Sequence, residues 1–266
     1  MENQETVQTG SRAIKKQRTV LITGATSGIG RASARVLAEA GFAVLLCGRR
    51  EERLKALADE LSPLVPVLTR CFDVRDRAAA ELALNNLPAP FDTIDILLNN
   101  AGGAHGRDPI HTGSIDDWEA MIDANLKGLL YVSRIVIPQM TERKSGHIIN
   151  ISSISGREVY AGGAVYCGTK AAVDSVTEGM RIDLNPFGIK VSAVSPGMVE
   201  TEFSLVRFKG DQEKSDAFYR NMDPLTPEDI ADLILFMVTR KPHIVIADVL
   251  VMPVRQANTT IFNRPL

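Results

Sequence analysis

Cysteine is scarce in this chain. Cys47, Cys71 and Cys167 are odd in number and lack the paired spacing of a metal site, so neither a disulfide framework nor a bound metal is expected. Excess charge is also missing: 30 Lys and Arg stand against 32 Asp and Glu, a net charge of −2. The basic residues are scattered apart from Lys15–Arg18 and Arg49–Arg50, and such a balance gives no strong field for nucleic acid or a membrane surface. No uninterrupted apolar run approaches a membrane span, and "IADLILFMV" is short and contains Asp232. Residues 1–17 are polar, without an apolar segment of signal-peptide length, and are expected to form a flexible arm. There is no repeat, no low-complexity segment and no linker rich in Pro, Gly or Ser. These absences leave one cytoplasmic domain over residues 18–266, and a chain 45% apolar and 23% charged can fill its core.

What is present is a regular alternation. Apolar, β-branched runs at Arg18–Thr23, Ala43–Gly48, Val65–Phe72, Ile94–Leu98, His147–Ser152, Ile189–Ser195 and Ala247–Met252 read as strands. They are continuous rather than alternating, which suits strands buried on both faces. Helical patterns fall between them at Ile29–Ala40, Glu51–Leu61, Arg77–Leu87, Ile115–Pro138, Gly163–Leu184 and Pro227–Thr239. Strict alternation implies right-handed crossovers and an α/β doubly wound parallel sheet of the Rossmann type, with about seven strands and helices on both faces. Ligands of such sheets collect outside the carboxyl ends of the strands.

The segment "TGATSGIG", Thr23 to Gly30, lies between the first strand and the first helix. Its glycines permit a tight turn and close backbone approach, and the helix start offers free N–H groups to an anion. A purely structural turn is the plain alternative; the position directly after the first strand favours a cofactor loop. An NAD-specific fold places an acid about twenty residues further on, for the ribose 2′-OH. Here Arg49 and Arg50 stand there instead. They are either solvated cations balanced by Glu51 and Glu52, or the holders of a 2′-phosphate. Cations at a helix N-terminus oppose its dipole, so a phosphate partner is the better account and NADP the expected cofactor.

Six segments then occur in order: "TGATSGIG", "NNAG" (Asn99–Gly102), Asn125 in "DANLKG", "ISS" (Ile151–Ser153), "YCGTK" (Tyr166–Lys170) and "SPG" (Ser195–Gly197). In order and spacing they resemble the short-chain dehydrogenase/reductase family over nearly the whole chain after the arm. Tyr166 and Lys170 are i,i+4 and share a helix face, while Val165, Ala172, Val173, Val176 and Met180 supply packing. A phenol ionises near pH 10; a nearby ammonium favours its ionised form, so Tyr166 is expected to exchange a proton with a substrate hydroxyl near neutrality. Cys167 points off that face and is given no role.

The resemblance implies further roles. Lys170 would also donate to the nicotinamide ribose, Ser153 would hold the substrate oxygen, and Asn125 would keep its helix locally open for a water chain to Lys170. The cofactor would contact Gly24, Thr26, Ser27, Gly28, Ile29 and Gly30 in the turn, and Asn100, Ala101 and Gly102 after the fourth strand. Asp73 and Val74 would flank the adenine, and Pro196, Gly197 and Thr201 would lie toward the carboxamide. A homotetramer is implied, with helices bearing Asn125 and Tyr166 paired across one axis. Ile261, Phe262 and Leu266 beyond the last strand have no obvious core in a monomer and are expected to pack on a neighbour.

Residues 198–225 are expected to form a substrate lid. "TEFSLVRFKGD", "LTPEDIA" and "MPV" look like the subgroup acting on the 3-hydroxyl of small acids such as serine, allo-threonine or 3-hydroxypropionate. A carboxylate substrate calls for a cation, ideally Arg; Arg207 is favoured, with Lys209 and Arg255 as alternatives. Within enzymes the rivals are a 3-oxoacyl-carrier-protein reductase and a broad carbonyl reductase. The rival of another class is an NADP-sensing regulatory protein, which would have no use for the Ser153, Tyr166 and Lys170 set.

Overall fold

The computed structural model describes residues 17–265; the expected N-terminal arm and Leu266 therefore lie outside the described residues, apart from Gln17. The chain alternates as the apolar runs require: β1 (Thr19–Thr23), α1 (Gly28–Glu39), β2 (Ala43–Gly48), α2 (Glu51–Leu61), β3 (Val67–Cys71), α3 (Arg77–Leu84) and β4 (Ile96–Asn99). The second half carries α4 (Ile115–Ile122), α5 (Gly128–Arg143), β5 (His147–Ile151), α6 (Ala164–Leu184), β6 (Lys190–Pro196), α7 (Phe203–Arg207), α8 (Gln212–Tyr219), α9 (Pro227–Val238) and β7 (Asp248–Val251). The described strands form one parallel sheet in the order β3-β2-β1-β4-β5-β6-β7.

Strand residues alternate between two cores because successive side chains point to opposite faces. Val20, Ile22, Val44, Leu46, Ile96 and Leu98 meet Leu37 of α1, Leu54 and Leu57 of α2, and Ile230 and Ile234 of α9. Leu21, Leu45, Leu97 and Ile148 meet Ala80 of α3, Val132, Val136 and Met140 of α5, and Leu184 of α6. Both sheet faces are thus dry, which is why these strands are continuously apolar.

Two boundaries differ from expectation. The single long helix ending near Pro138 is instead α4, a π turn over Asp123–Lys127, and α5, which continues past Pro138 to Arg143. Pro138 forfeits one N–H, but Val132, Val136 and Met140 keep an unbroken i,i+4 stripe on the sheet, and that burial outweighs the lost bond. α3 stops at Leu84, since Asn86 turns to a left-handed φ of 53°.

The expected lid consists of α7 and α8, followed by α9, which opens on a capping box between Thr226 and Asp229. The tail after β7 returns over this lid. Arg264 donates to the carbonyls of Phe218 at 2.9 Å and Arg220 at 2.7 Å, closing the end of α8. Phe262 pairs with Gln256 in an isolated bridge and lies against Arg264. Phe262 is half-buried, its contacts being to Gln256 and Arg264 of the same tail. Ile261 remains 59% exposed.

Candidate active site

The strand order reverses between β1 and β4, and there the connecting loops part to leave a crevice. A cavity of about 470 Å³ occupies it, walled by the glycine turn, the ends of β4, β5 and β6, and the lid. Gly24 sits at φ +67°, and a Cβ at Gly30 would collide with the Gly24 carbonyl. Only glycines close this turn. α1 begins at Gly28 with no side-chain cap from Ser27 and no acid in its first turn, so its N–H groups face the cavity unneutralised. Such a cradle fits the phosphates of a dinucleotide.

Asn100 is partly committed to the scaffold. Its amide donates to the carbonyls of Thr23 at 3.0 Å and Gly24 at 3.2 Å, while the Thr23 hydroxyl accepts from the Asn100 and Ala101 N–H groups. Thr26, Ser27, Ile29, Ala101, Gly102, Pro196, Gly197 and Thr201 also line the cavity. Gly197 leaves room for the Gln256 amide oxygen, which accepts from Met198 N–H at 2.7 Å. The Thr201 methyl rests against Gly28, bringing the first residues of the lid onto the phosphate turn.

Arg49 and Arg50 are not equivalent. Arg50 donates to Thr26 and Ser27 hydroxyls at 2.8–3.1 Å and to Glu202 at 2.9 Å, which engages all three of its nitrogens while it still lines the cavity. Arg53 joins the same carboxylate at 2.7 Å. Arg49 makes one long contact to Asp73, 3.4 Å, and stays two-thirds exposed at the cavity mouth. Neither Arg53 nor Glu202 stood out in the sequence, since their pairing spans 149 residues. Burial raises the Asp73 carboxyl, but hydrogen bonds from Arg75 outweigh that and hold it below the usual range. Val74 packs on the bare backbone of Gly128.

At the other end of the cavity Ser153 follows β5, its hydroxyl accepting from Ser155 N–H at 3.1 Å and reaching the Tyr166 phenol. Tyr166 and Lys170 are both 7% exposed on α6. Lys170 Nζ donates to the Ile151 carbonyl at 2.9 Å. Asn125 sits in the π turn and is buried. Its side chain accepts from Gly103 N–H at 2.8 Å and donates to the Gly103 carbonyl at 2.9 Å and the Thr169 hydroxyl at 3.0 Å. Cys167 is buried and does not line the cavity.

The expected lowering of the Tyr166 phenol is reversed by its surroundings. Burial pushes the phenol above its ordinary value and neighbouring Tyr160 adds to this; the Ser153 bond and the Arg207 cation only partly offset them. Burial also lowers Lys170 to about 8, against the pull of Asp174. Desolvation of both groups outweighs their nearness on the helix.

The three candidate cations separate cleanly. Arg207 is 4% exposed, donates from Nε to the Gly106 carbonyl at 3.1 Å, and lies 5.3 Å from the Tyr160 ring centre and 5.8 Å from that of Tyr166. One of its terminal nitrogens is buried without a partner, as is the Tyr160 hydroxyl, and both residues line the cavity. Lys209 points outward to Asp117 at 2.9 Å, and Arg255 is not part of the cavity wall. Tyr160, Arg107, Phe203 and the tail residues Phe262 and Arg264 complete the wall; nothing in their sequence spacing marked them. Among the described residues no group of His, Cys, Asp and Glu could hold a metal, and no helix is long and apolar enough to cross a membrane.

This geometry recurs in known proteins. The chain is 50% identical over 239 residues to an NADP-dependent 3-hydroxy acid dehydrogenase of Salmonella typhi, covering 90% of this chain and 96% of that one. It is 47% identical to sulfoacetaldehyde reductase 2 of Chromohalobacter salexigens, covering 90% and 95%. A solved structure of serine dehydrogenase complexed with NADP+, in its closed form, superposes with a TM-score of 0.88 at 45% identity, covering 93% of this chain and all of that one. Residues 18–211 match the family described as short chain dehydrogenase, and with the sheet order, the glycine turn and the Ser153–Tyr166–Lys170 cluster already in place, the chain belongs to the short-chain dehydrogenase/reductase family.

Proposed function

We propose that this protein is an NADP-dependent oxidoreductase for small substrates whose reacting carbon is separated by one carbon from an anionic group, chiefly 3-hydroxy acids of the serine, allo-threonine or 3-hydroxypropionate type. The observation that carries this reading is the buried Arg207, with an unpartnered nitrogen, in the same cavity as Ser153, Tyr166 and Lys170. The names of the relatives support it. A 3-hydroxy acid and sulfoacetaldehyde both present an anion separated by one carbon from the hydroxyl or carbonyl carbon, and a guanidinium binds either with charge-assisted bonds.

Cofactor binding falls to the glycine turn and first N–H groups of α1 for the phosphates, and to Arg49 for the 2′-phosphate. Asp73 and Val74 serve the adenine end, Asn100 to Gly102 the middle, and Pro196, Gly197 and Thr201 the carboxamide. When bound, the nicotinamide exchanges a hydride with the substrate carbon. Ser153 Oγ and Tyr166 Oη hold the substrate oxygen. In reduction Tyr166 gives up its proton to that oxygen, and its buried phenol keeps the proton ready at neutral pH. In oxidation Tyr166 takes the proton back, with the Lys170 ammonium favouring the phenolate. Asn125, in the π turn between α4 and α5 and bonded to Thr169 next to Lys170 in α6, would keep that turn open for a water chain to the amine. Arg207 and the Tyr160 hydroxyl orient the anionic head, and the lid excludes water.

We also infer a homotetramer. Ile115 and Ile122 on α4, Leu130 on α5 and Ile182 on α6 are 37–67% exposed, an apolar face suited to helix pairing across a two-fold axis. The reading as a whole is tested by following reduced-cofactor absorbance with NADP and NAD in parallel, against 3-hydroxy acids, sulfonates and uncharged alcohols. Turnover of uncharged alcohols as good as that of the acids would favour a broad carbonyl reductase; no turnover of any substrate would favour a cofactor sensor.

A further inference from the structure

Lys170 poses an electrostatic problem. Its ammonium is buried and donates to a single neutral acceptor, the Ile151 carbonyl. A charge taken out of water in this way is costly unless an opposite charge accompanies it. One turn further along α6, at i+4, stands Asp174, whose charge opposes the loss of the Lys170 proton.

The surroundings of Asp174 are built to keep its carboxylate inward. Oδ1 is buried and accepts no hydrogen bond. Oδ2 lies against the bare backbone of Gly156, where any Cβ would collide with it and crowd the Lys170 carbonyl. The Ser152 hydroxyl, at the end of β5, donates to the Lys170 carbonyl at 3.3 Å and is within reach of the Asp174 carboxylate. From the other elements, Arg157 past the turn after β5 and Asp248 on β7 also face Asp174. Those two form an ion pair with each other and are partly exposed, whereas Lys170 is buried and pairs directly with no carboxylate among the described residues, so the charge of Asp174 acts on it through space.

We propose that Asp174 is the positioning residue that keeps Lys170 charged beneath the active site, and thereby sets the upper pH limit of activity. This rests on the reading of Lys170 as the active-site cation. Left to itself, each group would be driven by burial toward its neutral form, the amine downward and the carboxyl upward. Their proximity opposes both shifts. Removing the carboxylate charge lets Lys170 lose its proton at lower pH.

The test uses the full-length enzyme. Asp174→Asn, nearly isosteric, and Asp174→Ser, smaller and neutral, are each expected to move the alkaline limb of the reductive kcat/KM profile down by about one pH unit, the usual effect of one adjacent charge. NADPH affinity, read by cofactor fluorescence against pH, is expected to fall off at correspondingly lower pH. Asp174→Glu keeps the charge and is expected to restore the limb. A limb that stays in place in either folded neutral variant overturns the proposal. Lys170→Met separates the two layers of the argument. If it retains activity, the reading of Lys170 fails; if it is inactive while the neutral Asp174 variants show an unmoved limb, only the role of Asp174 fails.

Discussion

Arg207→Met isolates the hold on the substrate anion. The unbranched Met side chain keeps apolar contact with the Tyr160 and Tyr166 rings while removing the guanidinium. The loop beneath does not depend on that group alone, because Gly106 N–H donates to the Arg207 backbone carbonyl at 3.0 Å and this bond survives. What disappears is the side-chain bond to the Gly106 carbonyl and the positive charge of a guanidinium that lines the cavity. A charge-assisted hydrogen bond is worth roughly 1.5–3 kcal/mol. At about 1.4 kcal/mol for each factor of ten, one lost bond raises KM for a 3-hydroxy acid by about 10- to 150-fold. An uncharged ketone or alcohol has no anion to lose, so its kcat/KM is expected to stay within a few-fold, and NADP affinity is expected to hold. The assay is steady-state kinetics on paired substrates, one anionic and one neutral, at fixed NADPH or NADP. Equal falls for both members of the pair would show that Arg207 supports the fold of the lid rather than the anion, and an unchanged KM for the acid would refute the assignment outright.

Tyr166→Phe removes only the proton-carrying oxygen, so cofactor binding by fluorescence should persist while turnover falls by about 10²–10⁴-fold; near-normal turnover would refute the mechanism. Arg49→Ala is expected to raise KM for NADP about tenfold or more and leave NAD unchanged. Arg50→Ala frees Thr26, Ser27 and Glu202 at once and should weaken both cofactors; equal effects from the Arg49 change would show it to be structural. His147 is buried with Nε2 on Ser192 at 2.9 Å, and burial lowers it from 6.5 to about 3. A base whose folded value is depressed gives its full stability above pH 6.5 and loses it as pH falls toward 3, by up to about 1.4 kcal/mol per pH unit. His147→Gln should flatten the pH dependence of the urea midpoint over that window, and identical slopes would contradict this. Deleting residues from Asn258 onward removes the Thr259–Glu158 bond and the Arg264 hold on α8, and is expected to raise substrate KM and weaken assembly in analytical ultracentrifugation. A fully active monomer of the intact chain at micromolar concentration would exclude the tetramer.

The turn "TGATSGIG" and the pair Tyr166 and Lys170 were legible because the constraints on them are local. A glycine is favoured where φ turns positive and required where, as at Gly30, a Cβ would strike a neighbouring backbone, and an i,i+4 pair shares a helix face whatever surrounds it. The parallel sheet was legible for a similar reason: a strand covered on both sides must be apolar at every position, and that pattern survives in one dimension. Pro138 shows the limit, because a local rule for ending helices lost to a stripe of side chains buried on the sheet.

Charged residues followed no such rule. Arg207 and Lys209 stand two positions apart in "VRFK", yet one is buried beneath two aromatic rings and the other reaches outward to Asp117. Arg49 and Arg50 are neighbours, and only the second is consumed by Thr26, Ser27 and Glu202. Tyr160 and Asp174 carried no sequence signal at all. Their significance lies in an unpartnered buried oxygen, which exists only once distant elements have closed around it. Sequence by itself determined the alternation of elements, the glycine turn and the shared helix face of Tyr166 and Lys170, since each is set by backbone geometry within a few residues. Tertiary structure alone decided which cation lies buried in the cavity wall, which arginine keeps few partners and in which direction Tyr166 and Lys170 are shifted, because burial and charge partnership depend on groups brought together from across the whole chain.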